Sequence, residues 1–166
     1  LEDGDTVCTE GYIMDNYCIN LGFLLDKSSF KTLESPDQHS VHCLVDVSFC
    51  RNSGFVVLQD PVESDGLYTV GYALDTAGNA ELIALAREVG DCTSCQGQGN
   101  LDQGMRAGIV GTVVDASENP PVISVTTANY ASADLTYCMD ENTPNSNITL
   151  PDPANVTSAA CLPKLT

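Results

Sequence analysis

Alternating apolar and polar positions mark several short segments of the chain as half-buried strands. Residues 11–14, 55–58 and 67–74 predict three strands, and the acidic turn between the second and third predicts a hairpin. Residues 105–114 and 122–130 predict two further strands, the last one after a turn with two prolines. We therefore expect mainly β-structure.

Two helices are expected between these strands. Apolar residues at positions 41, 44, 45 and 49 recur at helical spacing, which predicts a helix from about residue 36 to the glycine at position 54. Residues 79–89 have one apolar face and are followed by Gly90, which predicts the second helix. Residues 91–103 are rich in glycine, serine and glutamine, as in a loop.

The predicted order of elements is strand, helix, strand, strand, helix, strand, strand. This order is typical of a small antiparallel OB-like barrel, so the expected fold class is mainly β (α+β) with two short helices. Residues 1–131 are predicted to form this domain. Residues 132–166 are rich in proline, threonine and asparagine, which predicts an extended C-terminal tail.

The cysteine content indicates an oxidising compartment. The 166 residues include 8 cysteines, an even number that is high for a cytosolic domain of this size. We therefore expect a secreted, extracellular, disulfide-stapled protein from which a signal peptide has been removed. The pairing stays open, because eight cysteines allow about 105 connectivities. The expected disulfide cysteines are Cys8, Cys18, Cys43, Cys50, Cys92, Cys95, Cys138 and Cys161.

Sequons and charge bear on the partners of the chain. Asn147 and Asn155 each begin an Asn-x-Thr sequon without proline, so both are expected to carry N-linked glycans. The formal net charge of −17 disfavours binding to nucleic acid and to anionic lipid. No apolar run reaches the roughly 18 residues of a spanning helix, so no membrane span is expected.

Several short motifs resemble those of small exported bacterial proteins of OB-like shape and unknown function. Residues 11–15 followed by Cys18 match their opening G-x-[IV]-x-D-x-x-C, and residues 108–114 resemble their closing V-x-G-x-V strand. The resemblance covers residues 8–130 in patches and implies an OB-like fold and an exported location. It includes His42-Cys43, Cys50, Ser53-Gly54 and the strand at 55–58, and excludes Cys92, Cys95, Cys138, Cys161 and the tail.

Histidine and cysteine lie close together in the first predicted helix. His39 and Cys43 would be one turn apart with His42 on the same side, and imidazole and thiolate at this spacing can bind Zn²⁺ or copper. The alternative is that Cys43 is oxidised and that both histidines are surface residues. On one unbroken helix Cys43 and Cys50 would lie about 10 Å apart, too far for a mutual disulfide.

Two further patterns are compatible with redox or metal chemistry. Cys92 and Cys95 form a C-x-x-C motif, but no helix follows it, which favours a static disulfide over a thioredoxin-like role. Asp60, Glu63 and Asp65 gather three carboxylates that could bind Ca²⁺. Their spacing differs from that of an EF-hand, and a solvated hairpin loop is the alternative.

No nucleophile elbow, zinc-protease motif or phosphate loop is present, so we expect a protein that is not an enzyme. The leading hypothesis is a secreted, glycosylated structural or interaction module that binds copies of itself, as in a polymer or fibre, or other extracellular proteins. The alternative is a secreted metal-binding protein that uses His39 and His42, with or without Cys43. An enzyme of unrecognised type would need a carboxylate such as Asp15 or Asp46 buried beside a histidine.

Overall fold

The computed structural model describes residues 1–62, 64–96 and 104–130. These residues form a mixed α+β fold with one five-stranded sheet. The strands are β1 (Thr6–Asp15), β2 (Phe55–Gln59), β3 (Thr69–Leu74), β4 (Arg106–Asp115) and β5 (Val122–Tyr130). The α-helices are α1 (Asn16–Leu21), α2 (Val41–Asp46), α3 (Ser48–Arg51) and α4 (Thr76–Gly90), and a 3-10 helix spans Pro36–Gln38.

The first strand is long enough to pair with two neighbours. The first part of β1 lies antiparallel to β4, and its last four residues lie antiparallel to β2. β2 pairs with β3 and β4 pairs with β5, again antiparallel. β3 and β5 meet in a short parallel contact. The resulting order, β1-β2-β3-β5-β4, closes on itself as a small barrel.

β1 and β2 are buried on both faces, because alternate side chains of a strand point in opposite directions. Ile13 and Val57 join the main core, which α4 helps to cover, whereas Met14 and Val56 join a second cluster. The connection from β1 to β2 supplies four further buried members, Cys18, Leu24, Cys43 and Cys50, and β2 supplies Leu58.

The long helix α4 agrees with its sequence pattern. Asp75 caps it, since Asp75 Oδ1 accepts a hydrogen bond from the Gly78 N–H at 2.7 Å. Leu82 and Ala86 are buried on the face that packs towards β5. The helix therefore begins three residues before the predicted position 79 because of this cap.

Two sequence predictions about the fold need correction. The sheet is not wholly antiparallel, because β3 and β5 run parallel at Ala73–Val122 and Leu74–Ile123. The single helix expected over residues 36–54 is wrong, since the chain forms a 3-10 helix, α2 and α3 there. The described residues thus contain four α-helices and one 3-10 helix rather than two helices.

Gly11 lies where β1 changes partners from β4 to β2, and it lets the backbone of Leu58 approach closely. A Cβ atom at this position would overlap the carbonyl oxygen of Leu58. We predict that Gly11→Ala destabilises the domain by about 3 kcal/mol or more, because backbone atoms must move to relieve the overlap. Gly4→Ala is the control, since its Cβ meets open space and only the positive φ adds strain. Equal urea midpoints for the two variants would contradict this close approach.

Candidate metal centre

Asp15 ends β1 and positions the cysteine of α1. Asp15 Oδ1 accepts a hydrogen bond from the Cys18 N–H at 2.8 Å, which caps the first turn of the helix. The Cys18 side chain is fully buried, and the backbone N–H of Leu25 points at its Sγ from 3.4 Å. The Thr32 hydroxyl donates to the Cys18 carbonyl at 2.7 Å. Three polar contacts therefore hold this cysteine in place.

His39 follows the 3-10 helix, and its ring lies beside Asp15 and Cys18. The ring is 1% exposed, and its Nε2 lies 2.9 Å from Asp15 Oδ2 and 3.8 Å from Cys18 Sγ. The next residue, Ser40, caps α2 by accepting the Cys43 N–H at 3.0 Å. This cap begins a new helix directly after His39, so His39 and Cys43 do not share one helix as the sequence predicts.

An extended residue between two short helices brings Cys43 and Cys50 together. Val47 has φ −76° and ψ 117°, which ends α2 and allows α3 to begin in a new direction. The Sγ atoms of Cys43 and Cys50 lie 3.0 Å apart and both side chains are fully buried. The predicted separation of about 10 Å is therefore wrong, because it assumed one unbroken helix.

Three thiols, one imidazole and one carboxylate share this buried space. Among the described residues, two groups have ligand atoms within 4.8 Å of one another, and both include Cys18. The first group is completed by Cys43 and Cys50, and the second by Asp15 and His39. Thiolate and imidazole together are ligands typical of zinc sites. These five residues are called the cysteine–histidine cluster below.

The members of the cysteine–histidine cluster shift one another's pKa values. Hydrogen bonds from Cys43 and then Cys50 lower the pKa of Cys18, assisted by His39 and opposed by burial. Burial lowers the pKa of His39, but hydrogen bonds with Asp15, Cys18 and Cys43 outweigh it and raise that pKa well above its usual value. The hydrogen bond with Cys18 raises the pKa of Cys43 and contributes most to the raised pKa of Cys50.

The arrangement differs from a cysteine protease relay. In such a relay the base takes a proton from the nucleophile on one ring nitrogen and is oriented by a third group on the other. Here Cys18 and Asp15 both approach Nε2 of His39. All three side chains are also buried, so a substrate has no direct path to the sulfur. Convergence on one nitrogen suits a shared ion or proton better than nucleophilic catalysis.

His42, the other histidine predicted as a ligand, faces a different neighbourhood. Its Nδ1 lies 2.8 Å from Asp46 Oδ2, and the same oxygen accepts the Cys95 N–H at 2.7 Å. Arg87 Nη2 lies 3.6 Å from the second Asp46 oxygen. Among the described residues, His42 is not in a group of potential metal ligands with His39, and Ser40 begins α2 between the two histidines. Their joint binding of a metal stays a prediction from the sequence.

The described cysteines fall into two chemical classes. Cys92 and Cys95 form a disulfide, and Cys8 is also disulfide-bonded. Cys18, Cys43 and Cys50 are thiols, which corrects the expectation that every cysteine is oxidised. The Cys92–Cys95 disulfide follows the C-terminus of α4, where the helix dipole disfavours a thiolate. The sequons at Asn147 and Asn155, together with Cys138 and Cys161, lie outside the described residues.

The carboxylates considered for Ca²⁺ have other partners. Asp60 pairs with Arg106, whose Nη1 lies 2.7 Å from Asp60 Oδ1. Asp65 Oδ1 accepts the Leu67 N–H at 2.9 Å, as in an Asx turn. Glu63 lies outside the described residues. Within the described ranges, Asp60 and Asp65 do not belong to a group of potential metal ligands.

Asp15, Cys18 and Cys50 are the site residues that sequence reasoning did not assign to a metal, and a local signal was available for the first two. The available signal was the D-x-x-C spacing in the motif at residues 11–18, because an N-cap aspartate bonds the N–H of the third helical residue. That spacing fixes the cysteine relative to the carboxylate. The position of His39 beside them follows from tertiary packing and has no local signature.

No protein-family model matches the chain, and the searches of curated proteins and of solved structures likewise gave no match. None of the helices in the described ranges combines the length and apolar character needed to cross a bilayer.

We predict that Asp15→Ala lowers the free energy of unfolding by about 3 kcal/mol or more, because it removes both a helix cap and the partner of a buried imidazole. Asp75→Ala is the matched control, since Asp75 caps α4 in the same way without a histidine partner, and should cost about 1 kcal/mol. Urea unfolding with chelator and reductant measures both. Equal losses would show that the Asp15–His39 contact contributes nothing.

We predict that Asp46→Asn costs about 1 kcal/mol at neutral pH, because the charge that faces His42 and the Cys95 N–H is lost. Burial raises the pKa of Asp46, but these contacts and Arg87 lower it overall. The contribution is therefore present above the ordinary carboxyl pKa of about 3.9 and disappears as pH falls through the lower folded-state value. Urea unfolding between pH 7 and 2 tests this, with exposed Glu81→Gln as the control; a pH-independent difference would contradict it.

Proposed function

We propose that this domain binds one Zn²⁺ ion through Cys18, Cys43, Cys50 and His39, and that the ion stabilises the connection between β1 and β2. The observation that carries the proposal is a pair of buried groups of ligand atoms that share Cys18 Sγ, one completed by Cys43 and Cys50 and the other by Asp15 and His39. Burial of so many ionisable groups is costly unless they are paired or coordinate a metal. An ion would supply that compensation.

The chemistry of the ligands favours zinc. Three thiolates and one imidazole form a Cys₃His set, which is common in closed, four-coordinate structural zinc sites. Tetrahedral zinc with bonds of about 2.3 Å to sulfur keeps two sulfurs about 3.8 Å apart. Cys43 and Cys50 would therefore separate slightly from their 3.0 Å contact. Cys18 Sγ and His39 Nε2, 3.8 Å apart, are already near ligand spacing.

The local architecture explains why an ion would be useful. Residues 16–54 contain helices of only three to six residues, which are too short to be stable by themselves. Each ligand comes from a different part of this connection, so one ion would join them all. Metal-binding free energy then becomes folding free energy for this region. The ion would take the place of the hydrogen bond between His39 Nε2 and Asp15, and Asp15 would still position Cys18 through its N–H.

The finer prediction of an OB-like fold is supported by the strand order β1-β2-β3-β5-β4 and by α4 lying between β3 and β4 in the chain. Secretion, glycosylation at Asn147 and Asn155, and self-assembly stay predictions from the sequence. The buried thiols are compatible with an exported protein if a metal ion protects them from oxidation. We therefore favour a metal-stabilised binding or structural domain.

The test is the zinc content of the full chain after purification under anaerobic, zinc-containing conditions. We expect one zinc per chain by elemental analysis, and a large loss of zinc in Cys43→Ser and in His39→Ala. His42→Ala is the matched control and should retain zinc, because it faces Asp46 outside the cluster. A Cys92→Ser/Cys95→Ser double variant should also retain zinc.

Cobalt substitution provides a second measurement that does not depend on variants folding. Wild-type protein loaded with Co²⁺ should show the strong absorption of thiolate-coordinated tetrahedral cobalt, and zinc should displace it. Zinc-free wild-type protein that stays folded and gives no cobalt–thiolate absorption would overturn the proposal. Equal zinc content in the His39→Ala and His42→Ala variants would remove His39 from the ligand set.

A further inference from the structure

We infer that Cys43 and Cys50 are an oxidisable pair, and that a disulfide between them releases the bound metal ion. This inference rests on the proposed function and names the regulation of the same site. The observation behind it is the 3.0 Å contact between the two sulfurs, each on a very short helix. Only a small approach separates this contact from a covalent bond.

The hinge between α2 and α3 makes that approach easy. Val47 is the single residue between the two helices, and α3 contains four residues. A small change in the backbone angles at this residue moves Cys50 relative to Cys43 without disturbing the barrel strands. Little native structure has to be broken, since short helices open locally at low cost.

Cys18 is held by polar contacts at its N–H, its carbonyl and its Sγ. Its N–H bonds Asp15, its carbonyl accepts from Thr32, and its Sγ receives the Leu25 N–H. Movement towards either other sulfur would break these contacts. The geometry therefore assigns the disulfide to Cys43 and Cys50 and leaves Cys18 with His39.

A small hydroperoxide is the oxidant that suits this buried pair. One thiolate attacks a peroxide oxygen, the O–O bond breaks, and a sulfenic acid forms while hydroxide leaves. The second thiolate attacks the sulfenic sulfur, the S–S bond forms, and a second hydroxide leaves. Each hydroxide takes a proton from solvent and becomes water. The two sulfurs lose two electrons, and hydrogen peroxide gains them. The ion then keeps two of its four protein ligands, Cys18 and His39, and is released.

A stacked aromatic pair joins the two short helices that carry Cys18 and Cys50. The rings of Tyr17 and Phe49 stack with centroids 5.5 Å apart, and each residue directly precedes a cluster cysteine, Cys18 or Cys50. The stack therefore ties α1 to α3. Phe49 is 66% exposed, so its truncation removes the stack without opening a cavity in the main core. Loosening α3 in this way should admit the oxidant faster.

The experiment uses the full chain loaded with zinc and quantified before oxidation. Hydrogen peroxide is added, excess peroxide is removed with catalase, and released zinc is followed with a coloured zinc indicator. Peptide mass spectrometry then identifies the linked cysteines. We expect two thiols lost per zinc released, a Cys43–Cys50 disulfide, and recovery of bound zinc after treatment with a dithiol reductant and fresh zinc.

The outcomes separate the two proposals. Zinc that is present at the start but retained under peroxide overturns the switch and leaves the metal site intact. Zinc release with Cys18 in the disulfide, or with sulfinic acid instead of a disulfide, also overturns the assignment of the pair. A starting protein without zinc overturns the proposed function and the switch together.

A matched pair of variants tests the role of the aromatic stack. Phe49→Ala should start with the same zinc content as wild type and release zinc several-fold faster under peroxide. Val62→Ala, which also truncates an exposed apolar side chain but far from the cluster in sequence, should behave like wild type. Identical release rates for Phe49→Ala and wild type would contradict control of access by α3.

Discussion

The two oxygens of one buried carboxylate organise the most unusual part of this molecule. Asp15 ends β1, and one oxygen caps α1 while the other bonds the ring of His39. A strand of the barrel is thereby connected to a helix and to a turn that is distant in sequence. Because the carboxylate is fully buried, losing either partner leaves a polar group without solvent to replace it. The position of Cys18 follows from the same contact.

The barrel contributes to this arrangement because the paired strands β1 and β2 carry buried apolar side chains on both faces. Where β1 pairs with β2, one face belongs to the main core and the other carries Met14 and Val56 towards the connection. A sheet with one solvated face would leave the thiols of that connection accessible to water. Here they are enclosed between the sheet and the short helices. The reactivity of the cluster is therefore governed by how tightly those helices close over it.

Much of the barrel is predictable from the sequence, because local patterns determine it. β5 has the predicted bounds, and α4 and β2 differ by a few residues at most. The cluster is predictable only in part. The apolar periodicity predicts one continuous helix across Val47, whereas the helical backbone is interrupted at that residue. Helical spacing thus separates Cys43 from Cys50, whereas the structure joins them. Nothing in the sequence favours His39 over His42 as a ligand, whereas in the structure α2 begins between them and His39 is the one that is fully buried.

The ends of the connection between β1 and β2 have a consequence for the kinetics of folding. The Asn16 N–H bonds the Gly54 carbonyl at 3.0 Å, so residues 16–54 form a closed loop at the edge of the barrel. Bringing such ends together costs about 3 kcal/mol of chain entropy before β1 and β2 can pair. A contact within this loop that forms early in folding, such as several ligands bound to one ion, would lower the remaining entropy cost of bringing the ends together. If the thiols bind one ion as proposed, the barrel would therefore close faster with the ion than without it.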